Sequence, residues 1–391
     1  MGRFVNPDNS AFQVALNSDI YVDKTELLAY TNKVMNTNHA LICNSRPRRF
    51  GKSITANMLS AYYSKGCNSA DMFDDLEISK TADYKKHLNQ YDVIHLDIQW
   101  CSMDAELPKQ TVAYINANVT SELKKIYPQY VPNSVTNVRE AMSYINRYSG
   151  KKFIIIIDKW DVLIRDESYD TTVQNEYINF LREIFNENEP SQFLHLVFMT
   201  GILPIPKIKM RSALNHFDEF TMLSAKIFAP YMGFTEEEVR KLCIRYNRDF
   251  SEVKRWYGGY LLSGMKIYNP KAIVSIMTWG DFQSYWSQTG TYKSIVLLIN
   301  MNFDGLNTAV IDMIAGSPVR ITPETCQNDM LSLKNKDDVL TLLIHLGYLT
   351  YNSLSKTALV PNEDIRQELI DTVEDTLKLS DCNLLKPDYM S

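Results

Sequence analysis

Short apolar segments alternate with stretches of helical periodicity over the first 232 residues. The apolar segments are 38–43, 92–100, 151–158 and 193–201. Apolar residues recur three or four positions apart, as in helices, over 52–63, 110–127 and 171–187. The segment 151–158 holds four consecutive isoleucines, which is typical of a strand buried on both faces of a parallel sheet. The pattern therefore predicts an α/β domain over 1–232, with a parallel sheet and helices on both faces.

The pattern changes in the second half of the chain, where helices dominate. Thr235 is followed by Glu238, a spacing that predicts a capping box at the start of a helix. We expect a helical domain over 233–330. Residues 331–391 then read as a helix, two short strands and a helix capped by Asn362, an order that resembles the core of a winged helix.

Composition narrows the class of protein. The chain has 391 residues, 45% of them apolar, and its longest apolar run, FIIII, is too short to span a bilayer. The net charge of −5 gives no global attraction to nucleic acid or anionic lipid. The six cysteines contain no C-x-x-C pair, which argues against a zinc site or a disulfide scaffold. We therefore expect a cytoplasmic protein without a membrane partner.

The sequence SRPRRFGKS at 45–53 lies between a predicted strand and a predicted helix, as the phosphate-binding loop of a P-loop protein does. Backbone amides and the positive end of the helix would face an anion there. The usual motif has a glycine where Arg46 stands, so a solvated basic turn is the alternative. The nucleotide-binding candidates in this segment are Arg46, Pro47, Arg48, Arg49, Phe50, Gly51, Lys52, Ser53 and Ile54.

Four side chains would complete such a site. Lys52 would reach the β- and γ-phosphates, and the Ser53 hydroxyl would bind Mg²⁺. Asp158 ends an apolar strand, where a P-loop enzyme keeps the aspartate that holds the metal. Thr200 ends the next predicted strand, where it would sense the γ-phosphate or simply end the strand. These features predict ATP and Mg²⁺ as ligands.

Eight segments support a resemblance that covers nearly the whole chain. They are YVDKTELL (21–28), SRPRRFGKS (45–53), IIIIDKWD (154–161), MTGILPI (199–205), SALNHFDEFTM (212–222), GFTEEEV (233–239), KRWYGGY (254–260) and VPNEDIR (360–366). On these segments the chain resembles the AAA-ATPase-like family, bacterial P-loop proteins that commonly carry a C-terminal PD-(D/E)XK nuclease-like domain. The resemblance implies a P-loop ATPase fold and suggests a place for Asp23 beside the base or ribose. By position alone, Asp23 would be only a helix N-cap.

One departure from the family pattern affects the expected activity. The family's Asp-Glu pair is Asp158-Lys159 here, and a lysine cannot accept a proton from the attacking water near neutral pH. We therefore expect nucleotide binding with slow or absent hydrolysis, unless Asp161 replaces the missing base. Lys159 would pair with a phosphate, with Asp158 or with Asp161. The catalytic candidates are Asp158, Lys159, Asp161 and Thr200.

Two further departures concern the second half of the chain. Gly258 stands where the family has the aspartate of Trp-Tyr-Asp-Gly-Tyr. The aromatic residues around it, Trp256, Tyr257 and Tyr260, would stack on a base or belong to the core. The chain ends at Ser391, and a nuclease-like domain needs on the order of a hundred more residues, so no nuclease activity is expected.

Arginines near the loop have two interpretations. We expect one of Arg46, Arg48 and Arg49 to touch the nucleotide and the others to pair with acids. Arg211 and Asn215 would reach the nucleotide of a neighbouring subunit or hold a loop.

Three functions remain open at this point. The first is an ATP-binding switch with slow turnover, and a homo-oligomer is compatible with it. The second is a DNA-associated module of a nuclease-linked system, which the acidic net charge opposes. The third is a pseudoenzyme that acts as an interaction scaffold.

Overall fold

The computed structural model describes most of the chain, and the chain divides into two compact units. The described residues are 2–165, 171–185, 190–206, 214–286, 298–299, 301, 303–327 and 333–372. The first unit comprises Met1–Arg46 and Gly51–Thr221, and the second comprises Pro47–Phe50 and Met222–Ser391. The middle of the predicted phosphate loop therefore groups with the second unit.

A five-stranded parallel sheet forms the centre of the first unit. Its strands are β1 (Leu41–Ser45), β2 (Asp92–Asp97), β3 (Phe153–Asp158), β4 (Leu194–Gly201) and β5 (Asp218–Phe220). Their order is β2-β3-β4-β1-β5, and each neighbouring pair is parallel. In this register Asp97, Asp158 and Thr200 lie side by side at the carboxyl edge of the sheet.

Helices cover both faces of this sheet, as predicted. The helices of the first unit are α1 (Ser10–Leu16), α2 (Glu26–Val34), α3 (Lys52–Tyr63), α4 (Ala70–Phe73), α5 (Tyr84–His87), α6 (Ile98–Asp104), α7 (Thr111–Ile126), α8 (Val138–Ser149), α9 (Val162–Arg165), α10 (Thr171–Phe185) and α11 (Pro190–Phe193). Phe153, Ile155 and Ile157 share one core cluster with α7, α8 and α10. Side chains alternate along a strand, so the equally buried Ile154 and Ile156 face the other side, and α3 packs across β2, β3 and β4.

Residues 3–6 run along the outer edge of β2, the strand that ends in Asp97. Val5 pairs antiparallel with Ile94, and the carboxylate of Glu122 accepts hydrogen bonds from the backbone amides of residues 3–5. An uncovered edge strand would expose unpaired amides and carbonyls. This segment therefore covers part of the outer edge of β2.

The second unit is mainly helical, with two small antiparallel sheets. Its helices are α12 (Glu236–Arg245), α13 (Phe250–Tyr257), α14 (Pro270–Trp279), α15 (Leu306–Ile314), α16 (Lys336–Leu346) and α17 (363–372). Its strands are β6 (Phe234–Thr235), β7 (Tyr260–Leu262), β8 (Met265–Tyr268), β9 (Val319–Arg320), β10 (Thr350–Asn352) and β11 (Thr357–Leu359). The sheets have the orders β6-β8-β7 and β10-β11-β9.

The connectivity of the last elements follows the predicted winged-helix-like order. The helix α16, the strands β10 and β11 and the helix α17 succeed one another as predicted, and β11 also pairs with β9, which the sequence did not predict. Asn362 accepts a hydrogen bond from the amide of Ile365 at 3.1 Å, which confirms the predicted cap of α17. Most of α16 is buried, from Asp338 to Leu346.

The predicted capping box opens α12. The Thr235 hydroxyl accepts from the Glu238 amide at 3.3 Å, and the Glu238 carboxylate accepts from the Thr235 amide at 2.7 Å. We expect Thr235→Ala to lower the free energy of unfolding by about 1 kcal/mol. Urea denaturation measures this, and Thr235→Ser, which keeps the hydroxyl, is the matched control. Equal losses in the two variants would contradict the assignment.

Most predicted element boundaries in the first unit lie within a few residues of the observed ones. The exception is the segment 92–100, because the strand ends at Asp97 and α6 begins at Ile98. The predicted helix 171–187 is observed to Phe185, and its last two residues lie outside the described part. None of the described helices combines the length and apolar character needed to cross a bilayer.

Candidate functional site

The phosphate loop connects β1 to α3 in the predicted strand-loop-helix order. Gly51 occupies the N-cap position with φ 88°, and no side chain caps this end of α3. A Cβ on Gly51 would meet no atom within 4 Å, so space lies open beside its backbone. The unsatisfied amides at a helix start, with the helix dipole behind them, attract anions. This end of α3 therefore has the features of an anion site.

Asp158 lies beside this loop, as the sequence analysis predicts. The Ser53 hydroxyl donates a hydrogen bond to its carboxylate, and the aspartate is only 2% exposed. Burial raises the pKa of Asp158, while the Ser53 hydrogen bond and the nearby charges of Lys159 and Lys52 lower it. The juxtaposition joins the end of β3 to the first turn of α3.

The paired oxygens of Ser53 and Asp158 fit a magnesium ion. The Oδ1 atom of Asp158 is buried and has no hydrogen-bond partner among the described residues, although a buried polar atom normally has one. Mg²⁺ usually takes one or two protein oxygens, with waters and substrate phosphates completing its shell. The described part of the chain holds no group of three or more His, Cys, Asp or Glu side chains that could bind a metal ion.

Lys159 has a different partner from those predicted. Its Nζ lies 2.7 Å from Oδ2 of Asp97, and the two side chains are 31% and 22% exposed. The residue adopts φ 56°, in the left-handed region. The predicted ion pairs with Asp158 or Asp161 do not form; the lysine instead contacts the end of β2.

Asp161 holds a turn. Its Oδ2 accepts hydrogen bonds from the amides of Ile202 and Leu203 at 3.1 and 3.0 Å and from Nε of Arg165 at 3.2 Å. The carboxylate is 2% exposed. These contacts fix the chain just after β4 and favour a structural task over that of a replacement base.

Thr200 is fully buried beside Asp158 in the sheet register. Its hydroxyl donates to the backbone carbonyl of Asn44 at 3.1 Å. The hydroxyl therefore ties β4 to β1, the strand that leads into the phosphate loop.

The loop arginines take up different positions. Arg46 is fully buried, and its Nη1 donates to the carbonyls of Ser45 and Phe220 at 2.8 and 3.1 Å. Burial lowers the pKa of Arg46 to about 9. Arg49, at φ 69°, donates from Nη1 to the Tyr285 carbonyl at 2.6 Å within the second unit. Both arginines thus contact backbone carbonyls, whereas the sequence predicts contacts with the nucleotide or with acidic side chains.

The remaining candidates differ in their surroundings. Asp23 accepts from the amides of Thr25 and Glu77 at 2.8 and 2.7 Å, so it connects the start of α2 to a 3₁₀ turn. Ile54 is 48% exposed on α3. Asn215 is exposed, and Arg211 lies outside the described residues.

Two of the three aromatic candidates in the second unit belong to its core, whereas Trp256 is half-buried. Tyr257 and Tyr260 are each 1% exposed. The hydroxyl of Tyr260 donates to the Gly347 carbonyl at 2.7 Å, and the ring of Tyr257 stacks on that of Phe282. Stacking on a base is therefore not needed to explain them.

Comparison with known families agrees with the geometry of the loop. A family model described as "Predicted AAA-ATPase" matches residues 11–210. The chain belongs to this AAA-ATPase-like family. A curated relative, an uncharacterized protein in the vnfD 5' region of Azotobacter chroococcum mcd 1, is 22% identical over 358 residues. That match covers 88% of this chain but only 63% of the relative.

Solved structures with some likeness to this chain include the following two. The Aeropyrum pernix ORC2 protein, solved in ADPNP and ADP complexes, has a TM-score of 0.40 at 12% identity and covers 93% of this chain and 98% of its own. AMPPCP-bound DnaA from Aquifex aeolicus has a TM-score of 0.31 at 11% identity, covering 93% and 90%. Likeness at this level carries no weight for function.

Proposed function

We propose that this AAA-ATPase-like protein binds Mg-ATP at the phosphate loop and hydrolyses it slowly. The observation that carries the proposal is the contact between Ser53, in the first turn of α3, and the buried Asp158 at the end of β3. A basic surface turn has no need of a buried carboxylate beside it. An Mg-ATP site does, because the metal requires oxygen ligands next to the phosphates.

Each residue of the site has a distinct task in this proposal. Amides at the start of α3 hold the phosphate oxygens, and the Lys52 ammonium contacts the β- and γ-phosphates. The Ser53 hydroxyl and the Asp158 carboxylate hold Mg²⁺, which neutralises phosphate charge when it is bound. Thr200 positions the loop through the Asn44 carbonyl.

Slow turnover follows from the chemistry of position 159. A lysine there cannot accept a proton from water near neutral pH, and this lysine is engaged with Asp97. General bases typically contribute 10²- to 10⁴-fold to a rate. The ATP-bound state would therefore be long-lived, which suits a nucleotide-dependent switch in the cytoplasm.

Thermal denaturation with and without Mg-ATP tests the binding proposal. At a ligand concentration about 100 times the Kd, binding adds about 2.7 kcal/mol of stability, which raises the Tm by several degrees. Asp158→Asn should lose most of the magnesium-dependent part of this increase. If Mg-ATP leaves the Tm of the wild-type protein unchanged, the proposal is wrong.

A DNA-associated role is a second candidate because the elements from α15 to β11 have a winged-helix-like connectivity. In helix-turn-helix proteins the recognition helix must lie exposed to enter the major groove. Here α16, the helix before the β10–β11 hairpin, is buried along most of its length, and the net charge is −5. We expect no salt-dependent duplex binding; tight binding that weakens between two ionic strengths would favour the DNA role.

A further inference from the structure

We propose that Asp364 is a positioning residue for Mg-ATP, because it holds the segment 284–286, which in turn holds Arg49 of the phosphate loop. This inference rests on the proposed function and adds a residue to which the sequence analysis gave no task. Asp364 lies in the first turn of α17, within the VPNEDIR segment. It acts through Arg49 and not on the ligand itself.

The middle of the phosphate loop packs inside the second unit. Phe50 is fully buried, and its ring meets that of Tyr260 edge-on at a centroid distance of 5.4 Å. The carbonyl of Phe50 accepts a hydrogen bond from the Gly233 amide at 3.2 Å. Pro47 is also buried, and a Cβ on Gly347 would lie 2.7 Å from the Cβ of this proline. Elements of the second unit therefore hold the chain just before the start of α3.

Arg49 is the residue of this segment that most needs to be held. It adopts φ 69°, a left-handed conformation that is unfavourable for a residue with a side chain and persists only when the surroundings fix it. Its Nη1 donates to the Tyr285 carbonyl at 2.6 Å, which supplies such a contact. Arg49 precedes the N-cap Gly51 by two residues, so its conformation sets how the chain enters the proposed phosphate site.

Asp364 fixes the segment that carries the Tyr285 carbonyl. Its Oδ1 accepts from the Ser284 hydroxyl at 2.8 Å and from the amides of Tyr285 and Trp286 at 3.0 and 3.1 Å. The side chain is 2% exposed, so its removal would leave two buried amides without this acceptor, which is costly in a protein interior. Burial raises the pKa of Asp364 to about 6, and the charge of Arg49 is among the groups that oppose this rise.

The effect on binding follows from this chain of contacts. A loop that is already held in its binding conformation loses less freedom when the phosphates bind. A loop that occupies this conformation only part of the time binds more weakly by the corresponding factor. Removal of the Asp364 acceptor or of the Arg49 donor therefore lowers the affinity, although the proposed function places neither side chain on the nucleotide.

Isothermal titration calorimetry with Mg-ATP tests the assignment. Asp364→Ala should raise the Kd about tenfold, the factor expected when roughly one tenth of the molecules keep the loop in place. Asp364→Asn keeps an oxygen at the position of Oδ1, and its Kd should stay within about threefold of the wild-type value. Arg49→Ala should weaken binding as much as Asp364→Ala, and the double variant should bind no more weakly than either, because both changes break the same chain of contacts.

Asp338→Ala is the matched control. Asp338 is 3% exposed in the same unit, and its carboxylate accepts from the Thr325 hydroxyl at 2.8 Å and from the Lys334 amide at 3.0 Å. This variant should lower the stability of the protein but leave the Kd within about twofold. An unchanged Kd in Asp364→Ala, an Asn variant as weak as the Ala variant, or an equal increase in Asp338→Ala overturns the role of Asp364. Additive effects of Arg49→Ala and Asp364→Ala overturn it as well.

Hydrogen exchange of the wild-type protein decides the question if Asp364→Ala does not fold. Coupling between two sites is reciprocal, so saturating Mg-ATP should slow the exchange of the Tyr285 and Trp286 amides, which donate to Asp364. Unchanged exchange at these amides while Mg-ATP is bound overturns the role of Asp364 and leaves the proposed function intact. Absence of Mg-ATP binding to the wild-type protein overturns both.

Discussion

Lys52→Ala is expected to weaken Mg-ATP binding about 100-fold, the equivalent of about 2.8 kcal/mol. Lys52 is the first residue of α3, next to the N-cap Gly51, and the proposed function places its ammonium against the β- and γ-phosphates. Charge-assisted contacts of this kind are stronger than neutral hydrogen bonds, and removing one partner leaves phosphate charge uncompensated. Isothermal titration calorimetry in the presence of Mg²⁺ measures the change.

The control for this experiment is an exposed lysine of the same unit. Lys33 lies on the exposed side of α2, and Lys33→Ala should leave the Kd within about twofold, since a surface charge away from the ligand contributes little. The interaction-scaffold hypothesis predicts instead that Lys52→Ala and the wild-type protein respond to Mg-ATP in the same way. Identical titrations for these two proteins would favour the scaffold.

Gly259→Ala is expected to destabilise the second unit by about 2–5 kcal/mol. Gly259 has φ 91°, and a Cβ would lie 1.8 Å from the carbonyl oxygen of Pro361. The left-handed conformation costs a residue with a side chain about 1–2 kcal/mol, and overpacking adds about 1–3 kcal/mol. The obstacle is backbone, so it cannot rotate away as the end of a long side chain can.

A nearby glycine separates these two contributions. Gly264 has φ 83°, but a Cβ there would meet nothing within 4 Å. Gly264→Ala should therefore cost only the conformational part, about 1–2 kcal/mol. Urea denaturation of both variants measures the difference, and equal losses would contradict the close approach of Gly259 to Pro361.

The sequence predicted the parts of the fold that depend on local pattern. The four isoleucines of β3, the helix Lys52–Tyr63 and the Thr235 capping box were all identified from neighbouring residues. The predicted end of β2 was wrong because the apolar residues Ile98 and Trp100 follow Asp97. There the Asp97 side chain accepts from the Trp100 amide and starts a helix.

The parts that sequence reasoning missed depend on strand order and long-range packing. Asp97 is 61 residues from Asp158, and the two become neighbours only because β2 pairs with β3. The ion pair of Lys159 with Asp97 could therefore not be predicted from the sequence. Gly258 and Gly259 were recognised as part of a motif, but their packing against Pro361 and Asn362 requires the folded chain.

The burial of Arg46 could not be predicted from the sequence either. An arginine in a phosphate loop is usually expected to face its ligand, and nothing in SRPRRFGKS distinguishes Arg46 from Arg48 or Arg49. Only the position of β5 beside β1 provides the Phe220 carbonyl that Arg46 contacts. A three-residue strand gives almost no periodic signal.

The most direct test of the Mg-ATP site is a crystal structure of the protein grown with Mg-ATP. We expect a nucleotide with its phosphates against the amides of Gly51, Lys52 and Ser53, and a magnesium ion next to Ser53 and Asp158. Slow turnover further predicts an intact triphosphate in freshly grown crystals. A loop without nucleotide density at saturating Mg-ATP, or a nucleotide bound away from Ser53 and Asp158, would contradict the account.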